Sequence, residues 1–133
     1  MAYVARKIPF VGTTETNPET KPYFEGAAAG KFMLRRCTSC KKVHHYPRQL
    51  CPFCFGDCDW EEASGKGKIY TLSVMERANP PYAIGYVTLP EGPSVLTNFV
   101  DCELGSLKIG QDVKVTFIKT EDDGPTLPFF TPA

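Results

Sequence analysis

The stretch from Cys37 to Cys54 reads Cys-Thr-Ser-Cys-Lys-Lys-Val-His-His-Tyr-Pro-Arg-Gln-Leu-Cys-Pro-Phe-Cys, and it decides the fold of this region. It contains two Cys-x-x-Cys pairs, Cys37/Cys40 and Cys51/Cys54, with ten residues between them. Each pair places two thiolates on one tight turn, and two such turns form the tetrahedral sulfur cage that zinc prefers in a structural site. The spacing therefore predicts a zinc ribbon whose metal has no open position for catalysis.

A rubredoxin-type iron site would use the same four thiolates. We favour zinc because the two pairs lie close together in sequence and because Lys41 stands where a tight turn would place glycine. A ribbon this small has almost no apolar core of its own. Metal binding is therefore expected to supply its folding energy.

The roles of the other two cysteines and of the two histidines follow less directly from the sequence. Cys58 follows Cys54 by four residues. It could compete as a metal ligand, but we favour a free thiol near the site. Cys102 is expected to be a small buried apolar residue. His44 and His45 are the only histidines, and with four cysteines filling the site we expect them to be surface or packing residues. We find no nucleophile elbow, phosphate-binding glycine-rich loop or dinucleotide fingerprint, and so no self-contained catalytic set.

Length and composition set the broad class. The chain has 133 residues, enough for one ordinary domain or two very small ones, with 42% hydrophobic and 23% charged residues. No stretch approaches the roughly 20 apolar residues of a membrane span, and the N-terminus lacks the apolar core of a signal peptide. These features predict a cytoplasmic protein with reduced thiols and no membrane partner.

The net charge is zero but unevenly distributed along the chain. Residues 31–68 carry eight Lys/Arg against four Asp/Glu, a net charge of +4, whereas residues 69–133 carry a net charge of −4. The cysteine-rich part is therefore basic and the C-terminal part acidic, which bears on the choice of ligand.

Three segments follow from the remaining patterns. Residues 1–18 lack periodicity and predict an irregular arm, either mobile or draped over a partner. Residues 19–62 predict a helix over Glu19 to Ala29, with Gly30 as the residue after the C-cap, followed by the ribbon. Residues 63–133 predict a small barrel with an extended C-terminal tail.

The barrel prediction depends on short runs of period-two alternation separated by turn residues. The runs cover residues 70–75, 83–89, 95–100 and 113–117. Gly65 and Gly67, at the start of the first run, would suit a bulge at a barrel corner. The apolar tail of residues 124–132 either packs back on the barrel or forms an exposed apolar patch for a partner.

Several short motifs occur in an order that resembles a known family. They are Tyr23-Phe-Glu-Gly, Lys31-Phe-Met-Leu-Arg-Arg-Cys37, Tyr46-Pro-Arg, Trp60-Glu-Glu-Ala-Ser-Gly-Lys-Gly67, Gly92-Pro, Leu96-Thr-Asn and Leu107-Lys-Ile-Gly110 before Val113-Lys-Val. They are similar to motifs of the zinc-ribbon/OB-fold acyl-CoA-associated family, long catalogued as a domain of unknown function. The resemblance covers roughly residues 20–131. It implies a mainly β protein with an N-terminal helix, a rubredoxin-like zinc ribbon and a C-terminal OB-fold β-barrel.

The resemblance also implies a non-catalytic role. Family members act as small subunits beside thiolase-superfamily enzymes, and sometimes acyl-CoA hydratases, with the nucleophilic cysteine and the histidines supplied by the thiolase. In some relatives the OB part helps hold coenzyme A. In this chain the basic ribbon could attract the coenzyme A phosphates, and the candidates for that role are Arg35, Arg36, Lys41 and Lys42. The alternative is that these four residues form only a solvated basic face.

Two other functions stay open. Zinc ribbons and OB barrels also bind single-stranded nucleic acid, but the net charge of −4 on the barrel part opposes phosphate binding there. The chain could also be a pure scaffold that stabilises its partner without touching coenzyme A.

Overall fold

The computed structural model describes residues 18–121 and 124–133. Apart from Pro18, the predicted irregular arm of residues 1–18 lies outside these residues. The described part forms one α-helix, one short 3-10 helix and nine strands. None of the helices found there has the length and apolar character that crossing a membrane requires.

Helix α1 spans Lys21–Ala28, slightly shorter than predicted, and ends in a Schellman motif. The N–H of Lys31 donates to the carbonyl oxygen of Gly26 at 2.8 Å, and the N–H of Gly30 donates to that of Ala27 at 3.1 Å. Gly30 has φ +78°, a conformation that glycine adopts without steric cost. The predicted position of Gly30 after the C-cap is therefore confirmed.

The ribbon is a three-stranded antiparallel sheet in the order β2-β1-β3. Its strands are β1 (Met33–Cys37), β2 (Val43–His44) and β3 (Cys58–Glu62). In the β1–β3 ladder Arg35 lies opposite Trp60 and Cys37 opposite Cys58. Because β1 ends at Cys37, the sheet carries the first Cys-x-x-Cys turn directly on its central strand.

The second half is the predicted barrel. Its strands are β4 (Lys66–Ile69), β5 (Ser73–Met75), β6 (Tyr82–Thr88), β7 (Ser94–Phe99), β8 (Asp112–Lys119) and β9 (Thr126–Pro132), and the 3-10 helix Leu104–Ser106 lies between β7 and β8. The strand order is β4-β8-β9-β7-β6-β5, and β4 also pairs with β6, so the ring of pairings closes. All pairs are antiparallel except β7 with β9. The mainly β fold class is thus confirmed.

The first barrel strand is bent rather than continuous. The N–H groups of Tyr70 and Thr71 both donate to the carbonyl oxygen of Tyr86, at 2.8 Å and 3.3 Å. Two consecutive residues that lie opposite a single residue of the neighbouring strand form a β-bulge. This bulge separates β4 from β5. The bulge therefore lies at Tyr70–Thr71, and its predicted position at Gly65 and Gly67 is wrong, since Gly67 is paired regularly within β4.

The C-terminal tail is the strand β9 and packs back on the barrel. It pairs with β8 at seven positions from Lys119↔Thr126 to Val113↔Pro132 and with β7 at Phe99↔Phe130. Phe129 is 8% exposed and Phe130 1% exposed. The alternative of an exposed apolar tail is excluded by this pairing and burial.

One hydrophobic cluster runs through helix, ribbon and barrel. The Phe32 ring, just before β1, lies 6.3 Å from the Tyr23 ring of α1 and 6.1 Å from the Phe130 ring of β9. Leu34 of β1 is completely buried in the same cluster. The ribbon is therefore fastened to the barrel by the start of its own central strand.

Candidate metal centre

The two Cys-x-x-Cys turns have the same backbone geometry. In the first, the N–H of Lys41 donates to the carbonyl oxygen of Cys37 at 3.1 Å, and Lys41 has φ +66°. In the second, the N–H of Phe55 donates to that of Cys51 at 2.8 Å, and Phe55 has φ +62°. Lys41 therefore adopts the left-handed conformation without being glycine, so the missing glycine does not distinguish a zinc site from an iron site.

The turns bring together the four predicted sulfur atoms. All four Sγ atoms, from Cys37, Cys40, Cys51 and Cys54, lie within 4.8 Å of one another. The Cys37–Cys54 pair is 3.5 Å apart and the Cys40–Cys51 pair 3.7 Å apart. Zinc–sulfur bonds of about 2.3 Å in a tetrahedron place sulfurs about 3.8 Å apart, so the donor set fits zinc.

Backbone donors stabilise the thiolate form of Cys37 and Cys51, whereas the neighbouring sulfurs raise the pKa of the Cys54 thiol to about 11 in the absence of a metal. The N–H groups of Ser39 and Cys40 lie 3.3 Å from the Cys37 Sγ, and the N–H of Phe53 lies 3.4 Å from the Cys51 Sγ. The Cys40 N–H has the largest effect on Cys37 and, with that of Ser39, lowers the pKa of the Cys37 thiol to about 6 despite its burial. A thiol that is ionised near neutral pH is ready to bind a metal.

Cys58 and Cys102 lie outside the sulfur cluster. Cys58 is on β3, with its Sγ 3.9 Å from the carbonyl oxygen of Gly56, and does not join the group of four. This placement favours the free thiol. Cys102 is half-buried and packs against the hydrophobic cluster of the barrel, close to the expected small apolar role.

Arg35 is a structural residue of the ribbon. It is 6% exposed, and its guanidinium donates to the carbonyl oxygens of Arg48 at 3.2 Å and Gln49 at 3.0 Å. The same group lies 5.0 Å from the centre of the Trp60 ring. Arg35 thus joins β1 to the segment before Cys51 and does not present its charge to an external phosphate.

Arg36 is engaged with Glu61 in a two-bond ion pair. Its Nε and Nη2 donate to the Glu61 carboxylate at 2.7 Å and 2.9 Å, and its Nη1 donates to the carbonyl oxygen of Lys41 at 2.7 Å. The bond from Arg36 holds the pKa of the Glu61 carboxyl below its usual range. A cavity of about 180 Å³ beside the pair is smaller than typical small-molecule pockets.

Lys41 and Lys42 are the exposed members of the four predicted basic residues. The Lys41 Nζ donates to the carbonyl oxygen of Thr38 at 2.7 Å. The Lys42 Nζ lies 5.0 Å from the centre of the Phe53 ring. These two lysines are therefore the part of the predicted basic face that can meet an external anion.

A cleft of about 410 Å³ on the outside of the barrel was not predicted. It is lined by Lys66, Gly67, Lys68, Thr88, Leu89, Pro90 and Asp112. Asp112 pairs with Lys68 at 2.7 Å, whereas Lys66 lies directly opposite Lys114 in the β4–β8 ladder. Like charges opposite each other repel, and an anion between them would remove that repulsion. Only the strand register, which the sequence does not specify, brings these lysines together.

His44 and His45 are packing residues, as expected. His44 is 5% exposed, and its Nε2 accepts a bond from the N–H of Arg48 at 3.3 Å. The His45 ring packs against the rings of Tyr23, Phe32 and Tyr46 at 5.5–5.9 Å. Burial lowers the pKa of both histidines, that of His45 to about 4. Both are neutral at pH 7.

Acidification below pH 6.5 should destabilise the chain through His45. A histidine whose pKa is depressed on folding takes up its proton more readily when unfolded, so stability falls as pH drops from about 6.5 to about 4. With those values the loss at pH 5.5 is on the order of 1 kcal/mol. Urea unfolding at pH 7.5 and 5.5 with zinc in excess measures it, and His45→Phe, which retains aromatic packing, should remove it. An equal loss in the variant would contradict the assignment.

Two family models match the chain in tandem. The rubredoxin-like zinc ribbon domain of ChsH2 matches residues 24–61, and the C-terminal OB-fold domain of ChsH2 matches residues 60–117. A Methanocaldococcus jannaschii protein described as a DUF35 domain-containing scaffold protein is 36% identical over 97 residues, which are 67% of this chain and 69% of that protein. This chain belongs to the DUF35 family. The predicted family and the predicted zinc-ribbon and OB-fold classes are therefore confirmed.

Three further matches are to a subunit of a probable hydratase, to a chain of a solved aldolase and to a solved DUF35 structure. A probable enoyl-CoA hydratase alpha subunit of Thermomonospora curvata is 32% identical over 124 residues, covering 88% of this chain but only 38% of that protein. A chain of the solved Ltp2-ChsH2(DUF35) aldolase is 31% identical, with a TM-score of 0.76, and the match covers 89% of this chain and 97% of that one. A DUF35 structure from Sulfolobus solfataricus, 15% identical with a TM-score of 0.65, shares the fold.

Proposed function

We propose that this DUF35 chain is a non-catalytic, zinc-binding subunit of a cytoplasmic complex that processes acyl-CoA thioesters. Its partner is a thiolase-superfamily enzyme that forms or cleaves a carbon–carbon bond, and the chain assembles that complex or helps hold coenzyme A. The observation that carries the proposal is the aldolase match, because it extends over nearly the whole of both chains. An acyl-CoA hydratase is the alternative partner, supported by the likeness to the Thermomonospora curvata subunit.

The chemistry of the metal centre agrees with an accessory role. In our proposal Cys37, Cys40, Cys51 and Cys54 hold a structural zinc ion, and four thiolates leave it no position for substrate. His44 and His45 are neutral and packed in the ribbon rather than aimed at a cleft. The reacting groups of the complex would then come from the partner enzyme.

The proposal is tested by affinity purification of the tagged chain from its own cell at native expression, with mass spectrometry of the proteins recovered. A thiolase-type subunit in stoichiometric amount would support it. Recovery of a hydratase would select the alternative partner. Recovery of nucleic-acid machinery, or of no protein, would overturn the acyl-CoA role and leave the zinc ribbon unaffected.

Coenzyme A phosphates should meet the barrel lysines rather than the ribbon. Arg35 is buried and Arg36 is neutralised by Glu61, whereas Lys66 and Lys114 face each other beside an apolar cleft. The double variant Lys66→Met/Lys114→Met should weaken coenzyme A binding about tenfold, as expected for the loss of two charge-assisted contacts. Calorimetric titration of coenzyme A into the assembled complex measures this.

Three comparisons make the result specific to the phosphates. Pantetheine, which lacks them, should bind the variant and the wild type alike. Lys31→Met, an exposed lysine of the segment after α1, should have no effect. Weakening by Lys41→Met/Lys42→Met, with the barrel variant unchanged, would place the phosphates on the ribbon instead.

One observation favours a second function. Tyr70 and Tyr86 are 65% and 44% exposed on the barrel, and exposed aromatic rings on an OB fold can stack with the bases of a single strand. The acidic charge of this half of the chain opposes that role. Salt-sensitive binding of an oligonucleotide at micromolar protein, without any response to acyl-CoA, would reverse the ranking.

A further inference from the structure

Phe55 occupies a position that the fold alone would give to glycine. Its φ of +62° lies in the left-handed region, where a bulky side chain is an outlier and glycine is free of strain. It is held there by the bond from its N–H to the carbonyl oxygen of Cys51. The second metal-binding turn therefore imposes this conformation whatever side chain residue 55 carries.

The Phe55 side chain makes little contact with the rest of the fold that could offset this strain. It is 77% exposed, the most exposed of the large apolar residues described, and no other ring or cation of the described residues lies against it. A strained backbone conformation that does not improve packing within the chain often marks a residue with a functional role. The residue is better suited to a contact outside this chain than to its own stability.

Phe55 is one of three exposed apolar residues on a single hairpin. Leu50 is 47% exposed and Phe53 is 58% exposed, and a bridge between Leu50 and Asp57 closes the hairpin that carries all three. We call Leu50, Phe53 and Phe55 the knuckle patch. The proposed zinc site and the backbone bonds of the turn hold it rigidly, so little conformational freedom is lost when a partner binds.

The residues around the knuckle patch indicate the charge of the partner surface that would cover it. Lys42 lies over the Phe53 ring, and the adjoining Lys41 is exposed. Asp57, at the base of the hairpin, is the acidic residue nearest in sequence. An apolar centre with a mainly basic rim is complementary to an apolar pocket with a carboxylate rim.

We propose that the knuckle patch is the surface through which this chain docks on the acyl-CoA enzyme subunit of its complex. Phe55 and Phe53 enter an apolar pocket of that subunit, and Lys42 and Lys41 meet carboxylates at its edge. This assignment of the partner rests on the proposed function. Buried aromatic side chains at the centre of an interface commonly carry most of its binding energy.

Phe55→Gly separates docking from folding, because the two roles predict opposite effects. The substitution relieves the left-handed backbone, so the melting temperature of the zinc-loaded chain should stay the same or rise. Affinity for the enzyme subunit that copurifies with the wild-type chain should fall at least about 30-fold. Titration calorimetry with the two purified proteins measures the affinity, and a thermal scan measures the stability.

Two further variants complete the experiment. Lys42→Glu should weaken binding by slowing association, with an effect that shrinks at high salt. Leu96→Ser removes a side chain that is 61% exposed on β7, far from the hairpin in sequence, and should bind like the wild type.

Each outcome decides the proposal. Wild-type affinity in Phe55→Gly would overturn the docking surface while leaving the proposed function intact, and loss of binding in Leu96→Ser alone would move the interface to the barrel. Failure of the wild-type chain to bind any acyl-CoA enzyme subunit would overturn both. Phe55-dependent binding to phosphatidylserine vesicles, without enzyme binding, would assign the patch to a membrane and overturn the protein partner.

Discussion

Complete removal of zinc by a strong chelator should unfold the ribbon sheet while the barrel persists. The three ribbon strands have five, two and five residues, too little to be stable without support, and four thiolates brought together without a metal repel one another. Zinc binding to sites of this kind is worth on the order of 10 kcal/mol, which the apo ribbon loses. The barrel has its own closed ring of strands and most of the hydrophobic cluster.

The single tryptophan makes the two halves separately visible. Trp60 lies on β3 beneath the Arg35 guanidinium, so its emission should shift to the red as the ribbon unfolds. The far-ultraviolet circular dichroism of the barrel should largely remain. Cys51→Ser should reproduce the effect, whereas Cys58→Ser, which leaves the sulfur cluster complete, should retain wild-type zinc content. Unchanged emission, dichroism and melting temperature after full chelation would rule out a structural metal.

Gly85→Ala should destabilise the barrel by about 3 kcal/mol or more, the upper range for overpacking. A Cβ at position 85 would overlap the carbonyl oxygen of Thr71 and would lie 3.0 Å from the Phe99 ring. The Thr71 carbonyl belongs to the bulge, which Tyr86 holds with three hydrogen bonds. Because the obstacle is backbone rather than a flexible side chain, a rotamer change cannot relieve the clash.

Denaturant unfolding followed by circular dichroism measures the effect of Gly85→Ala. Leu96→Ala on the neighbouring strand is the control, and its effect should stay within about 0.5 kcal/mol because the side chain is exposed. A change below about 1 kcal/mol in Gly85→Ala would show that the bulge gives way and that the close approach of Thr71 is not a fixed feature of the barrel.

The metal-binding part of the fold was largely predictable because its causes are local. The two Cys-x-x-Cys turns need only a few consecutive residues, and Gly30 ends α1 through bonds within its own last turn. The strands of β6, β7 and β8 follow from alternation along each segment. The bulge was misplaced because it depends on which residues of β6 lie opposite Tyr70 and Thr71, a question of pairing rather than of local preference.

The functional surfaces were less predictable than the fold. Arg35 was grouped with three other basic residues because their charges are alike in sequence, yet it is buried against carbonyl oxygens contributed by the segment before Cys51. Lys66 and Lys114 are 48 positions apart and face each other only through the β4–β8 register. The sequence does not distinguish Phe55 from other hydrophobic residues, because its left-handed backbone conformation and its exposure are properties of the folded chain.

The sequence by itself determined which four cysteines cluster, the order of helix, ribbon and barrel, and the likeness to DUF35 proteins. These properties depend on residue type and on spacing along the chain. Only the tertiary structure decided that the tail is the strand β9, that Arg35 is structural, that exposed aromatic residues lie together on the second turn, and that Lys66 faces Lys114. These properties depend on which distant segments come into contact, and that is set by the strand register and by the packing of the common core.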